Sequence, residues 1–589
     1  MKNFNFFYLL FSMLVITGCS SDDDLPTEME PQPTGNVTTY DLSSVAVPGI
    51  MGTATFIEND DNSVTVELDI QNTPDGGSHP AHIHYNTAAE GGDIAISLAP
   101  VDGSTGFSSI TFTAEDDGTP VTYDQLMDYD GYINVHLSAD ELGTIVAQGD
   151  IGQNELTGES KTYNLETKDV DGISGTANFE KRANGEALAT LNLENTPDGG
   201  EHPAHIHMNT AVESGGIIFT FNPVNGTTGM SMTNVASLDD DTPFMFDDVM
   251  DVDGYINVHL SAEDLGTIVA QGDIGQNELT GESKTYNLET KDVDGISGTA
   301  TFEERMNGQA LATLNLDNTP DGGEHPAHIH MNTAVEGGGI IFTFNPVNGT
   351  TGMSMTNVAA LDDEAAFGYD DVMEVNGYIN VHLSADDLGT IVAQGDIGQN
   401  ELTGESKVYM LDSKDVDGIS GTATFEERMN GQALATLNLE NTPDGGEHPA
   451  HIHMNTAVEG GGIIFTFNPV NGTTGMSMTN VSALDDETAF GYDDVLEVDG
   501  YINVHLSAED LGTIVAQGDI GQNELTGESK TYNLETKDVD GISGTATFEE
   551  RMNGQALATL NLDNTPDGGE HPAHIHMNTA VEGGGIIFT

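Results

Sequence analysis

One period constrains this chain more than any other property. The phrase His-Pro-Ala-His-Ile-His occurs five times, beginning at His79, His202, His325, His448 and His571, a spacing of 123 residues each time. A fourth histidine follows four of these phrases at fixed distance: His136, His259, His382 and His505. These positions account for all 19 histidines of the chain. Filler residues would scatter, so these rings share a local task. The period is too long for a solenoid unit, which runs to roughly 50 residues, and it has the size of an independent domain. The 589 residues therefore read as a row of globular modules, and a 37% hydrophobic content lets each module build its own core.

The repeats align on equivalent tyrosines, which sets the modules at 40–162, 163–285, 286–408, 409–531 and a partial fifth at 532–589. No Pro- or Ser-rich linker separates them, so neighbours should abut. Copies two to five are nearly identical. Copy one has drifted most, so the segments it keeps are the informative ones: the histidine phrase, Gly-Tyr-Ile-Asn-Val-His-Leu-Ser-Ala and Leu-Gly-Thr-Ile-Val-Ala-Gln-Gly-Asp-Ile-Gly.

In copy two, Ala189, Leu191 and Leu193 alternate with Thr190 and Asn192, the period of a half-buried strand. Residues 195–200 have turn chemistry. Further strands are expected over 204–209, 217–222, 230–235, 255–261 and 267–274, with one short helix near 246–250. Short strands separated by turns imply an all-β fold: a tandem array of antiparallel Greek-key β-sandwiches, of the immunoglobulin-like or superoxide-dismutase-like kind. The fifth copy stops before the counterpart of His505. It is expected to leave its sandwich open, with an unpaired edge, as a fragment of a longer array.

Ninety-seven acidic residues face 14 basic ones, a net charge of −83. That balance opposes binding to nucleic acid and to anionic membrane surfaces. One cysteine allows no intrachain disulfide. Lys2 and the apolar run from Phe4 to Ile16 form a segment too short to span a bilayer. With Ile16-Thr17-Gly18-Cys19 it resembles a bacterial lipoprotein signal, which implies a signal peptide over 1–18 and lipidation at Cys19. Ser20-Ser21-Asp22-Asp23-Asp24 resembles the acidic tag of exported lipoproteins. The expectation is an outer-membrane lipoprotein facing the cell exterior, with a periplasm-facing protein as the alternative. Residues 19–39, rich in Pro, Thr, Asp and Glu, read as a flexible acidic tether.

Strand geometry places His205 and His207 on one face and Ala204 and Ile206 on the other, toward the core. In the later strand Ile256, Val258 and Leu260 oppose Tyr255, Asn257 and His259. If the two strands meet, three imidazoles converge on the outer wall of each sandwich. Three imidazoles without cysteine suit copper or zinc, with copper favoured by the affinity order, and leave a coordination position open. The candidate ligands are His82, His84 and His136; His205, His207 and His259; His328, His330 and His382; and His451, His453 and His505. His79, His202, His325 and His448 precede a proline and break the alternation. They read as supporting hydrogen-bond partners or as fourth ligands. Met208, Met230 and Met232 are soft atoms, but copy one replaces them with Tyr85, Phe107 and Ser109, so they read as packing residues.

Gly-Ile-Ser-Gly-Thr-Ala (172–177), Ala-His-Ile-His (204–207), Gly-Tyr-Ile-Asn-Val-His (254–259) and Ala-Gln-Gly-Asp-Ile (270–274) resemble the CHRD domain, a module named for chordin and also found in microbial secreted proteins. The same segments are similar to Cu/Zn superoxide dismutase. That second resemblance implies that His205, His207 and His259 are copper ligands and that His202 is a structural histidine. It does not extend to the dismutase's zinc and bridging histidines, since 208–235 contains none. It lacks the disulfide cysteines, and Ile268 stands where the guiding arginine would be. The expected function is therefore binding or adhesion by surface-anchored CHRD-like modules, each with a three-histidine Cu/Zn site, toward an extracellular ligand or protein that the sequence does not name. The alternatives are a copper-dependent dismutase-like redox protein and a metal-free structural stalk.

Overall fold

The computed structural model describes residues 30–589 apart from 198 and 444. The signal segment, Cys19 and the first part of the tether lie outside the described residues, as does position 198 of the expected turn. The structure divides into two compact units, the first ending at Gly275 and the second running Gln276–Thr589.

The first repeat shows the pattern. Its strands are β1 (Pro33–Ser44), β2 (Met51–Asn59), β3 (Val64–Gln71), β4 (Ser78–His79), β5 (Ala81–Tyr85), β6 (Ile94–Ser97), β7 (Val101–Asp102), β8 (Phe107–Phe112), β9 (Asp130–His136) and β10 (Ile145–Gly152), with one helix, α1 (Tyr123–Met127), before β9. Neighbours run β6-β5-β9-β10-β1-β2-β3-β8, all antiparallel. β1, β2 and β3 are consecutive neighbours and β10 returns to lie beside β1, the Greek-key order. β1 serves both halves of the sandwich. Its Val37–Leu42 stretch pairs with β2, while Ser43 and Ser44 pair with β10.

The core lies between the two halves. Phe56 of β2, Val66 and Leu68 of β3, Ile83 of β5, and Ile133 and Val135 of β9 all interlock there. The alternation read from sequence is the cause: every second residue of β3 faces inward. Each such buried aliphatic side chain contributes about 1.5–3 kcal/mol. The second, third and fourth repeats reproduce this core. In the second repeat the six expected elements have ends no more than three residues from those read in the sequence, as with Met230–Val235, Phe246–Asp251 and Asp264–Gly275.

Two boundaries differ. The tether was expected to run to residue 39, but β1 begins at Pro33, and Val37, Thr38 and Thr39 pair with Ile57, Phe56 and Thr55. Likewise the strand Leu156–Thr167 crosses the expected junction at 162/163. In both places a register shift interrupts the early part of the strand, and glycine sits there with φ of 102° at Gly35 and 85° at Gly158. A glycine beside proline or acidic residues reads as linker, yet here its left-handed backbone makes a bulge inside a strand. The link between the first two repeats thus shrinks to the three residues between Gly152 and Leu156.

Arg182 closes that junction. It is fully buried, and its Nη1 lies 2.6 Å from Asp150 Oδ2 and donates to the Asn154 carbonyl at 2.6 Å, both in the preceding repeat. Its Nε donates to Asn234 Oδ1 of its own repeat at 3.0 Å. The pairing recurs within the second unit at Arg428–Asp396 and Arg551–Asp519.

In the fifth repeat, Leu525–Leu534, Ser543–Arg551 and Ala556–Asp563 form a three-stranded sheet, and Ile575–His576 pairs with Ile586–Phe588 as a separate ribbon. Among the described residues the Ala556–Asp563 strand has one neighbour only, as expected of an open edge.

Candidate metal centre

In the second repeat the strand Ala204–Met208 pairs with Asp253–Ser261, placing His205 opposite Asn257 and His207 opposite Tyr255. His259 continues past Val258, the partner of Ala204, and its N–H donates to the Pro203 carbonyl. Diagonal neighbours on one face of a pair are within reach of imidazole rings. The ring centroids of His205 and His259 are 5.0 Å apart, those of His207 and His259 6.2 Å, and those of His205 and His207 5.9 Å. Register shifts flank the site on both strands, at Ile206/His207 and at Val258/His259. Bulges re-aim side chains, and here they adjoin two of the three histidines.

Each histidine offers one nitrogen, and in each complete repeat these three atoms lie within 4.8 Å of one another. Donors bound to one ion at 2.0–2.1 Å stand roughly 3.3–3.6 Å apart, so small rotations close the set. In the first repeat His82 Nδ1 and His136 Nε2 are 3.1 Å apart already.

Backbone carbonyls set the tautomers. His207 Nδ1–H donates to Gly215 O at 3.0 Å and His259 Nδ1–H donates to Leu265 O at 2.7 Å. A carbonyl only accepts, so each ring carries its proton on Nδ1 and leaves Nε2 as a lone pair. Those two Nε2 atoms, with His205 Nδ1, are buried and have no hydrogen-bond partner. The same orphaned trio recurs at His328, His330 and His382 and at His451, His453 and His505. A buried acceptor without a partner costs about 1–3 kcal/mol, and three in one place are what a cation would satisfy. These side chains can hold a metal ion.

Burial and mutual repulsion favour the unprotonated forms of His205 and His259. Burial first, then the neighbouring His259 and His207, pushes His205 down to about 4, with Asp239 opposing. His328 and His451 are likewise pushed down to about 4. Burial also lowers His259, against the hydrogen bond to Leu265. Tyr255 stacks on His207 at 4.9 Å and accepts from Gly215 N–H, bracing the segment that holds His207.

The three expected ligands of every complete repeat are thus brought together. The expected outer wall is corrected: His205 and His207 are each only 8% exposed, and the His259 ring 5%. Their face does turn from the core, but the segment carrying Gly215 and the loop carrying Leu265 cover it. His202 stands outside the convergent group. Its Nδ1–H donates to the His259 carbonyl at 3.2 Å, which fixes the backbone of a ligand-bearing strand. His79, His325 and His448 do the same for His136, His382 and His505. The methionines do not pack as expected: Met208, Met230 and Met232 are 52%, 44% and 45% exposed. Ser231 and Thr233 turn inward on that strand instead, where Thr233 Oγ1 accepts from Asn222 N–H and Met230 and Met232 are left to face outward. Sequence reasoning missed Gly215, Leu265, Tyr255 and Asp239. The first two act through backbone atoms, which leave no compositional signal.

No protein-family model matches the chain, and no curated protein matches it either.

Proposed function

We propose that each complete repeat binds one copper or zinc ion through its three histidines, and that the chain is a tandem binding protein of CHRD type, held at the outer membrane by lipid on Cys19. The observation that carries this reading is the convergence of three histidine nitrogens within 4.8 Å in four repeats, all three buried and partnerless in three of them. Two Nε2 atoms and one Nδ1 favour Cu(II) in the affinity order and also suit Zn(II). The set leaves at least one coordination position for water or an outside ligand. Modules repeated on one anchor gain avidity even when each contact is weak.

A dismutase-like redox reading draws on the same three nitrogens. It is less favoured because a chain of net charge −83 repels an anionic substrate and offers no basic residue among the site's neighbours named above.

The test is calorimetric titration of the metal-free full chain with Cu(II) and with Zn(II). Four ions per chain are expected, and the copper EPR spectrum should carry the hyperfine pattern of three imidazole nitrogens. Absence of saturable binding leaves the stalk. Fast superoxide consumption that His207→Ala abolishes would replace binding with redox catalysis.

A further inference from the structure

All four arginines of the chain occupy one repeat position: Arg182, Arg305, Arg428 and Arg551. In the first repeat that position is Asn59, whose amide is satisfied locally by Ser63 and Thr65. Residues 1–39, which precede that repeat, hold no counterpart of the histidine phrase. In a chain with so few cations, a buried arginine at this position in every later repeat is a specific placement.

From Arg182 two routes lead to the same loop of the preceding repeat. Asp150, which meets the guanidinium through Oδ2, accepts the Ala88 N–H through Oδ1 at 2.8 Å. Asn154, whose carbonyl meets the same Nη1, donates from Nδ2 to the Asn86 carbonyl at 3.1 Å. Asn86 and Ala88 open the loop that ends at Gly92, and Gly92 O accepts the Nδ1–H of His84 at 2.9 Å. The loop therefore has its near end tied to the next repeat and its far end on a histidine. Arg428 repeats this through Asp396 to Ala334 and through Asn400 to Asn332, with His330 on Gly338. Arg551 does so through Asp519 to Ala457 and through Asn523 to Asn455, with His453 on Gly461.

We propose that Arg182, Arg428 and Arg551 are positioning residues for the histidine sites of the repeats before them, so that each of these sites is completed by its C-terminal neighbour. The guanidinium fork is suited to this because one rigid plane meets a carboxylate and a carbonyl together. Without it, the largely buried Asp150 carboxylate loses its charge partner and keeps the Ala88 N–H, and both routes to the loop lose their common anchor. The consequence for affinity rests on the metal-binding reading above; the claim about the loop does not.

The experiment uses the full chain carrying His207→Ala, His330→Ala and His453→Ala, so that only the first site remains intact. Into it go Arg182→Met, Arg182→Lys and, as control, Lys181→Met, whose ammonium pairs with Glu159 and Asp247 and lies over the Phe246 ring, all within the second repeat or its first strand. Amide exchange at Ala88 is read without metal, and Zn(II) affinity is read by competition with a chelator. Arg182→Met should speed Ala88 exchange at least about tenfold and weaken Zn(II) binding by about 10–100-fold, the range for residues that orient ligands from behind. Arg182→Lys should fall between, and Lys181→Met should change neither. Unchanged exchange overturns the proposal, as does faster exchange with unchanged affinity. If the parent binds no Zn(II), the metal reading fails, and Ala88 exchange alone decides whether the arginine holds the loop. If Arg182→Met does not fold, Arg182→Lys supplies both readings.

Discussion

The second and fifth repeats share nearly the same residues over their common length and reach different states. In the fifth, His574 and His576 keep the local geometry: their rings are 5.9 Å apart, as in His205 and His207, and His576 Nδ1–H still donates to Gly584 O at 3.0 Å. What is lost is everything supplied from a distance. Tyr163 is 3% exposed and its counterpart Tyr532 53%; Leu191 is fully buried and Leu560 is 49% exposed. Among the described residues no third histidine joins the pair. The phrase His-Ile-His thus makes two ligands by strand geometry alone, while the third ligand, His259, and the Leu265 part of the cover come from more than fifty residues away.

Removing the distant histidine should turn complete repeats into copies of the fifth. His136→Ala, His259→Ala, His382→Ala and His505→Ala together should lower metal affinity by more than about a hundredfold, beyond the usual loss from a supporting residue. Stoichiometry after equilibrium dialysis should drop from four ions per chain toward zero, and four ions retained would break the comparison. Next in size is the core. Leu191→Ala should cost about 2–5 kcal/mol, whereas Leu560→Ala, at a half-exposed position, should stay within about 0.5 kcal/mol. Denaturant-dependent hydrogen exchange resolves the two repeats separately.

Acid should act on the complete repeats through their histidines. The folded-state value of His205, about 4, lies below the ordinary value of 6.5. The unfolded chain therefore takes up the proton first. The stabilisation is fully present above about pH 6.5 and is lost as pH falls toward about 4. Imidazole resonances of the metal-free chain should report a midpoint near 4 for His205, and one near 6.5 would show that burial does not act on it. The smallest effect is expected of Tyr255→Phe, which keeps the stack on His207 and deletes the acceptor of the Gly215 N–H. It should cost about 0.5–1.5 kcal/mol and weaken metal binding severalfold, read by the same competition assay.

The fold was legible because Ala204 and Ile206 alternate with His205 and His207, and because Ala189, Leu191 and Leu193 alternate with polar neighbours. The ligand set was legible because histidine occurs nowhere else. The depth of the site was not, since the cover is made of carbonyls and N–H groups of Gly215 and Leu265 that any residue could supply. Strand starts at Pro33 and Leu156 were hidden by glycines whose positive φ serves a bulge. The inverted strand at Met230 was hidden because the inward turn of Thr233 is settled by its hydrogen bond from Asn222 N–H, not by polarity. The arginines carried a periodic signal as plain as that of the histidines. Only the structure shows that their partners belong to another module.

Asp150 and Arg182, Asp396 and Arg428, and Asp519 and Arg551 stand 32 residues apart in every case. The clasp between modules is thus written into the period itself. A block of 123 residues inserted or deleted between matching points keeps an Asp and an Arg 32 residues apart across the new seam wherever the following block carries the arginine, which the first repeat, with Asn59 there, does not. Such an array can lengthen or shorten in whole units, its number of histidine centres rising or falling in step, without any new surface having to be invented for the join.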